Sequence, residues 1–319
     1  MASTINDETG GQAVVGAIDA DWLDGGALTV SVLEGLRMRT PRRAGPRVLA
    51  LMAALAAVLA IATVPSSTSA LAQGGAVNLE WFGWSHFRLT STNGKVILLN
   101  PFLTNPDSTM SLDDLSVADL ILPADGHGDE LGQTFEIAQK TNARVLTPFE
   151  LGTHLMARGL PMTQVVRSNP GQRFVMDGIT VRLVNSVHGS GLPIQDGANS
   201  HGYSGPAVGF YISFENGWTV YFTGSSAATQ DQAIWGANYK PDAMIFHMNA
   251  ASDPVDVATA IRLTMTDNPN LKTLIPHHHR VQVPAGGTTI AEVQAALGTM
   301  GITTQITEPV RSEVYTFTK

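Results

Sequence analysis

The chain has 319 residues, no cysteine, 44% hydrophobic residues and a formal net charge of −8. The lack of cysteine excludes a disulfide scaffold and a thiolate nucleophile, so any metal site must be built from histidine and carboxylate. An acidic balance with no basic patch or Arg-rich helix argues against nucleic acid as a partner.

Residues 1–72 read as an N-terminal extension and secretory signal, and residues 73–319 as one domain, long enough to bury a sizeable core. The apolar run Val48–Val64 follows Arg39, Arg42, Arg43 and Arg47 and precedes Ala70-Leu71-Ala72. Basic, then apolar, then small residues is the order of a cleavable export signal. A single membrane anchor is the alternative, but seventeen apolar residues are short for a bilayer. With the signal removed, no stable membrane insertion is expected, and the location is periplasmic or secreted. The acidic residues of the first 37 positions fit poorly ahead of such a signal, and Met38 makes the better start.

From there the chain alternates strands with helices. Val77–Phe82, His86–Thr90 and Lys95–Asn100 read as strands, the last two joined by an Asn93-Gly94 hairpin signal. Ala118–Pro123 is a short apolar strand, followed by the acidic loop ADGHGDE and a helical pattern from Asp129 to Asn142. Ala143–Pro148 is a strand, Phe149–Arg158 a helix and Met162–Val166 a strand. Asp177-Gly178 turns one alternating strand into the next. Asn216-Gly217 joins AVGFYISF to WTVYFTG. A strand at DAMIFHM, a helix at Asp256–Thr266, a strand at KTLIP and a helix at Thr288–Leu297 follow, and ITTQITEP and SEVYTFT close the chain as strands. Hairpins in both halves, mixed with strand–helix alternation, predict an α/β domain of two sheets with helices outside them.

The chemistry gathers at strand ends. His127 follows the strand ADLILP, His188 follows VRLVNSV, His247 ends AMIF, and His277, His278 and His279 follow TLIP. Each histidine alone reads as a surface residue. Four strand ends delivering them together is how a metal site is built on an α/β scaffold. Asp125, His127, Asp129 and Glu130 crowd one loop, with Gly126 and Gly128 between them to let the backbone curl. Asp129 and Glu130 also open a helix, where carboxylates are favoured without any metal. With no Gly-x-Ser-x-Gly elbow and no cysteine, a metal-activated water is the best-supported nucleophile.

In the order of these motifs the chain resembles the metallo-β-lactamase fold superfamily. Within it, the chain is similar to the branch of metal-dependent hydrolases that includes the ascorbate-6-phosphate lactonases. WFGWSHFRL and ILLNPFLTNP resemble that branch's opening strands, with Asn100 where an aspartate is usual. The resemblance implies a four-layer αββα sandwich. Its hallmark loop, His-x-His-x-Asp-His, reads here Asp125-Gly126-His127-Gly128-Asp129-Glu130. His188 and His278 fall on the later ligand histidines, and Ser225 falls where the family has an aspartate bridging two metals. Without that bridge at most one tightly held divalent metal is expected: zinc first, with manganese or iron as alternatives. Asp125, His127 and His188 form a three-ligand site with an open position for water. Asp129, Glu130 and His278 form a poorer second site or serve as catalytic proton-transfer and orienting groups. His86, His201, Ser225, His247, His277 and His279 are candidates for supporting or substrate contacts, and His154 reads as structural.

The expected function is an exported metal-dependent hydrolase acting on a small-molecule lactone, ester or phosphoester. The exchanges at Asp125, Glu130 and Ser225 keep open a degenerate, non-catalytic member acting as a binding or scaffold protein.

Overall fold

The computed structural model describes residues 75–193 and 201–319; the export signal expected in residues 1–72 lies outside them. In chain order the strands are β1 (Val77–Trp81), β2 (Phe87–Thr90), β3 (Val96–Leu99), β4 (Leu120–Leu122), β5 (Arg144–Pro148), β6 (Val165–Ser168), β7 (Arg173–Met176) and β8 (Ile179–Asn185). They continue with β9 (Gly191–Pro193), β10 (His201–Tyr203), β11 (Val208–Ser213), β12 (Thr219–Phe222), β13 (Ala243–His247), β14 (Thr273–His277) and β15 (Tyr315–Phe317). The helices are α1 (Gly128–Leu131), α2 (Thr134–Thr141), α3 (Phe149–Ala157), α4 (Asp231–Tyr239), α5 (Pro254–Thr264) and α6 (Ile290–Thr299).

The strands pair into two large sheets, ordered β15-β1-β2-β3-β4-β5-β6 and β14-β13-β12-β11-β8-β7, with β9 and β10 as a separate ribbon. In each sheet, antiparallel neighbours give way to parallel ones: from β3 onward in the first and from β12 onward in the second.

Side-chain alternation sorts the core into three layers of contact. Leu79, Trp81, Phe87 and Leu89 from one sheet meet Val181, Leu183, Phe210 and Phe222 from the other. The opposite faces are apolar as well. Leu98, Ile121 and Val145 cover Ile137 and Leu151 of α2 and α3, while Tyr221, Met244 and Phe246 cover Val257, Ile261 and Val293 of α5 and α6. Strands buried on both faces read as unbroken apolar runs, which is what LILL-type segments here are. The architecture is therefore helix–sheet–sheet–helix, the four-layer αββα sandwich.

Several element boundaries differ from expectation, each for a local reason. The helix expected over Asp129–Asn142 is two, because Gly132 adopts φ +47, ψ −134. There the chain presses against Pro101, whose carbonyl accepts from Gln133 N–H at 3.0 Å. A Cβ on Gly132 would lie 2.3 Å from that oxygen, so only glycine passes. β6 starts three residues later than read, since Gln164 closes a turn onto Pro161 and its side chain binds the carbonyls of Ala138 and Ala143. ITTQITEP forms no strand; it touches β14 through a single bridge at Ile306, whose N–H is taken by Gln294 of α6. Helix α4, not expected from the sequence, packs through Trp235 and Tyr239 against the second sheet's outer core and through Gly236, tight against the Thr264 carbonyl of α5, while Ile234 stays exposed.

Candidate metal centre

The loop after β4 is fixed at the junction of the two sheets before any ligand is considered. Asn100, in the left-handed region at φ +40, accepts Ala124 N–H on its Oδ1 at 2.8 Å. The Ala124 carbonyl in turn accepts from Val208 of β11. Gly126 follows with no room for a side chain, as a Cβ there would strike Ser204 Oγ at 2.3 Å. The loop thus carries Asp125 inward and His127 to the rim.

Two groups of donors result. Single ligand atoms of Asp125, His127 and His188 lie within 4.8 Å of one another, and those of Asp129, Glu130 and His278 do likewise. In the first group Asp125 is fully buried, and its Oδ1 accepts His127 N–H at 2.8 Å and lies 3.4 Å from His127 Nδ1. The His127 and His188 rings stand nearly perpendicular, 5.2 Å apart. Burial, then the charge of Glu130, pushes the Asp125 carboxyl up to about 8. Burial also lowers the His188 imidazole, leaving it a neutral donor.

The second group is bonded within itself through one oxygen of each carboxylate. His278 Nε2 sits 3.2 Å from Glu130 Oε1 and 3.4 Å from Asp129 Oδ2. Ser225 donates a short hydrogen bond to Glu130 Oε1, and Trp84 Nε1 donates to Asp129 Oδ2 at 3.0 Å. Burial alone would lower His278, but its bonds to Asp129 and Glu130 outweigh that and raise it to about 9. For Asp129 the burial that would raise it is overcome by His278, Glu130 and Trp84, which hold it well below the carboxylate range. His278 Nδ1 lies 2.7 Å from His277 Nδ1; burial keeps His277 neutral, so the proton between them belongs to His278.

The remaining candidates fall in different places. The His247 ring stands 5.1 Å from that of His278 and 6.3 Å from that of His188, between the two groups. His277 is buried behind His278, stacked on Phe222 and within 3.3 Å of Thr223 Oγ1. His279 stacks on Trp81 at 4.5 Å and is buried. His86 is not at the rim: it is fully buried beside Phe82, where burial and Arg88 lower it to about 3. His201 pairs with Pro193 in the β9–β10 ribbon; its side chain lies outside the described residues. His154, on α3, meets the Tyr203 carbonyl at 3.2 Å.

Some contributors carry no role in the sequence reading. Trp84 and Ser85 hold Asp129 by its carboxylate and its carbonyl, and Thr223 backs His277. A cavity of about 270 Å3 is lined by His188, Ser225, His247, Asn249, Asp253 and Asp256. The tryptophan and serine of WFGWSH signalled Trp84 and Ser85 only through the family resemblance. Nothing in the sequence singled out the cavity wall.

Asp125 Oδ2 and Glu130 Oε2 are buried with no hydrogen-bond partner among the described residues. A buried carboxylate oxygen without a donor costs several kcal/mol unless it is neutralised, protonated or bound to a cation. Two imidazoles at ligating range of Asp125 complete a set of one oxygen and two nitrogens, which suits zinc and tolerates manganese or iron. The residues present therefore fit a divalent metal.

Comparison with known proteins agrees with this geometry. Residues 95–291 match the family described as the beta-lactamase superfamily domain. A UPF0173 metal-dependent hydrolase of Thermodesulfovibrio yellowstonii is 32% identical over 245 residues, covering 74% of this chain and 90% of its own. A second, from Cupriavidus taiwanensis, is 32% identical over 271 residues, covering 78% and 93%. Among solved structures, the metallo hydrolase Igni18 of Ignicoccus hospitalis shares the fold at a TM-score of 0.63 and 23% identity, over 76% of this chain and 99% of that one. An isothiocyanate hydrolase from Delia radicum gut bacteria does so at 0.56 and 17%, over 76% and 99%. By sequence, sheet order and the residues gathered at its strand ends, the chain belongs to the beta-lactamase superfamily, among the UPF0173 metal-dependent hydrolases.

Proposed function

We propose that this protein is a hydrolase that holds one divalent cation, zinc in first place, between Asp125, His127 and His188, and cleaves a lactone, ester or phosphoester with water. The observation that carries this reading is the buried Asp125 carboxylate, whose Oδ2 has no partner among the described residues and one of whose oxygens lies within 4.8 Å of a ring nitrogen of each of His127 and His188. When bound, the cation would acidify a water molecule and polarise the bond to be cut.

The chain's own groups do the rest. Asp129 stays ionised through the neutral range and is the more exposed carboxylate of its group, so it orients the water by accepting its hydrogen bond. His278 Nε2 holds a proton between Asp129 and Glu130, the group from which a leaving oxygen draws. Glu130 keeps His278 charged and is itself aimed by Ser225. Because His278, Ser225 and Trp84 already engage Glu130 Oε1 and Asp129 Oδ2, and no carboxylate stands at Ser225 to bridge, a second cation would compete with those bonds. That favours a single ion. The same network supports a second reading, a metal-binding member that no longer turns over substrate.

The order of Arg39–Arg47, Val48–Val64 and Ala70-Leu71-Ala72 supports export, which places the enzyme in the periplasm or outside the cell. N-terminal sequencing of the mature form tests this: it should begin at Gln73, and a form retaining Val48–Val64 contradicts it.

Removal of the ion by chelator should abolish hydrolysis of a panel of lactones and esters, and zinc should restore it. His127→Ala and His188→Ala should lose the ion and activity together. Trp84→Phe, which frees Asp129 while keeping an aromatic ring, should cost about 10–100-fold in kcat/KM, as loss of an outer partner does. A protein that binds zinc but is inert across the panel would favour the second reading.

The raised Asp125 carboxyl adds a pH dependence. Metal-free at pH 7 it carries a proton, so zinc binding should release about one proton per ion, read as a heat that varies with buffer ionisation. In the metal-free protein the contribution of this group to stability is complete below its ordinary value near 3.8 and is lost as pH rises through about 8. Asp125→Asn should flatten that decline in thermal melts and remove the released proton. A zinc-binding heat independent of buffer would contradict the assignment.

A further inference from the structure

The wall of the cavity beside the metal centre names a class of substrate, and this step rests on the hydrolase reading above. The cavity of about 270 Å3 is lined by His188 of the first donor group, by His247, and by Ser225, whose hydroxyl bonds Glu130 of the second. The turn into α5 and its first turn add Asn249, Ser252, Asp253 and Asp256 to the lining. No lysine or arginine is among the lining residues.

The feature of this wall that would otherwise attract an anion is the N-terminus of α5, whose first N–H groups and dipole favour negative charge. It is already occupied by the chain. Asp253 Oδ1 accepts Val255 N–H at 2.8 Å, and Asp256 lies in the first turn. Asp256 Oδ2 is turned to Ala228 N–H at 3.0 Å. Each carboxylate thus spends one oxygen on the backbone and keeps another for a ligand donor. Arg280, two residues beyond His278, is drawn to Asp107 at 3.1 Å and lies over the Trp84 ring.

The charge balance follows. Asp253 and Asp256 line the cleft, and no cationic side chain lines it with them. A phosphoester or a carboxylate-bearing ester would bring more negative charge to a wall that offers it acceptors and no cation. We infer that the cleft takes an uncharged or amine-bearing carboxylic ester or lactone, held by its hydrogen-bond donors against Asp253, Asp256 and Asn249, and that it disfavours phosphoesters and anionic acyl groups.

The test uses zinc-loaded protein and nitrophenyl esters of one acyl length whose far end carries a hydroxyl, an ammonium or a carboxylate, together with nitrophenyl phosphate. The matching non-hydrolysable amides are titrated by calorimetry. The hydroxyl and ammonium members should exceed the carboxylate member by about tenfold or more in both kcat/KM and affinity, a gap worth about 1.4 kcal/mol. The gap should narrow in Asp253→Asn and in Asp256→Asn, and with added salt. Anionic members that bind and react as well as the neutral ones would overturn the inference while leaving the hydrolase reading intact. Binding in the expected order with no turnover of any ester would overturn the hydrolase reading and leave the charge selection standing. Failure of every member to bind would overturn the inference as well.

Discussion

A carboxylate buried without a donor is the constraint around which this site is organised. Asp125 is carried inward by a backbone held on both sides, by Asn100 from the first sheet and by Val208 from the second. It cannot swing out to water without breaking that junction. Its Oδ2 is left without a partner among the described residues, and an ionised carboxylate in that setting needs a cation, while an isolated one takes up a proton instead. The two imidazoles beside it, His127 and His188, make the first outcome chemically accessible.

Glu130 is buried to the same degree but resolves its charge differently. His278 and Ser225 reach it, and Asp129 shares His278 and gains Trp84. Two carboxylates and one imidazolium form a network that is nearly satisfied internally. The difference between the groups, an imidazole bonded to both carboxylates in the second and two imidazoles beside a single carboxylate in the first, underlies the proposed division of labour between holding the ion and handling water and proton. Ser225 is consistent with it: a hydroxyl donates to Glu130, where a carboxylate would have repelled it.

Much of this was legible in the sequence. The strands announced themselves as apolar runs and hairpin turns, and the crowding of Asp125, His127, Asp129 and Glu130 in one glycine-spaced loop marked the centre. His188 and His278 were visible because they follow strands. What stayed hidden depends on contacts between distant segments. Trp84 reaches Asp129 across forty-five positions, and Asp253 and Asp256 look like ordinary first-turn residues until one cavity gathers them with His188. His86 misled for the same reason: one position before β2 in a polar context, it turns into the core rather than to the rim. The break at Gly132 escaped because close backbone packing at Pro101 decides it, and no periodicity records such a contact; helix α4 offers only Trp235 and Tyr239 as an apolar pair, with Ile234 off that face.

The central claim is that Asp125, His127 and His188 share one ion. Anomalous diffraction at the zinc edge from crystals of the zinc-loaded protein tests it most directly. The account predicts one strong peak at about 2.0–2.2 Å from a carboxylate oxygen of Asp125 and a ring nitrogen each of His127 and His188, with Asp129, Glu130 and His278 still bonded to one another. A peak centred on Asp129, Glu130 and His278 with none at Asp125, or no peak at either group, would contradict it.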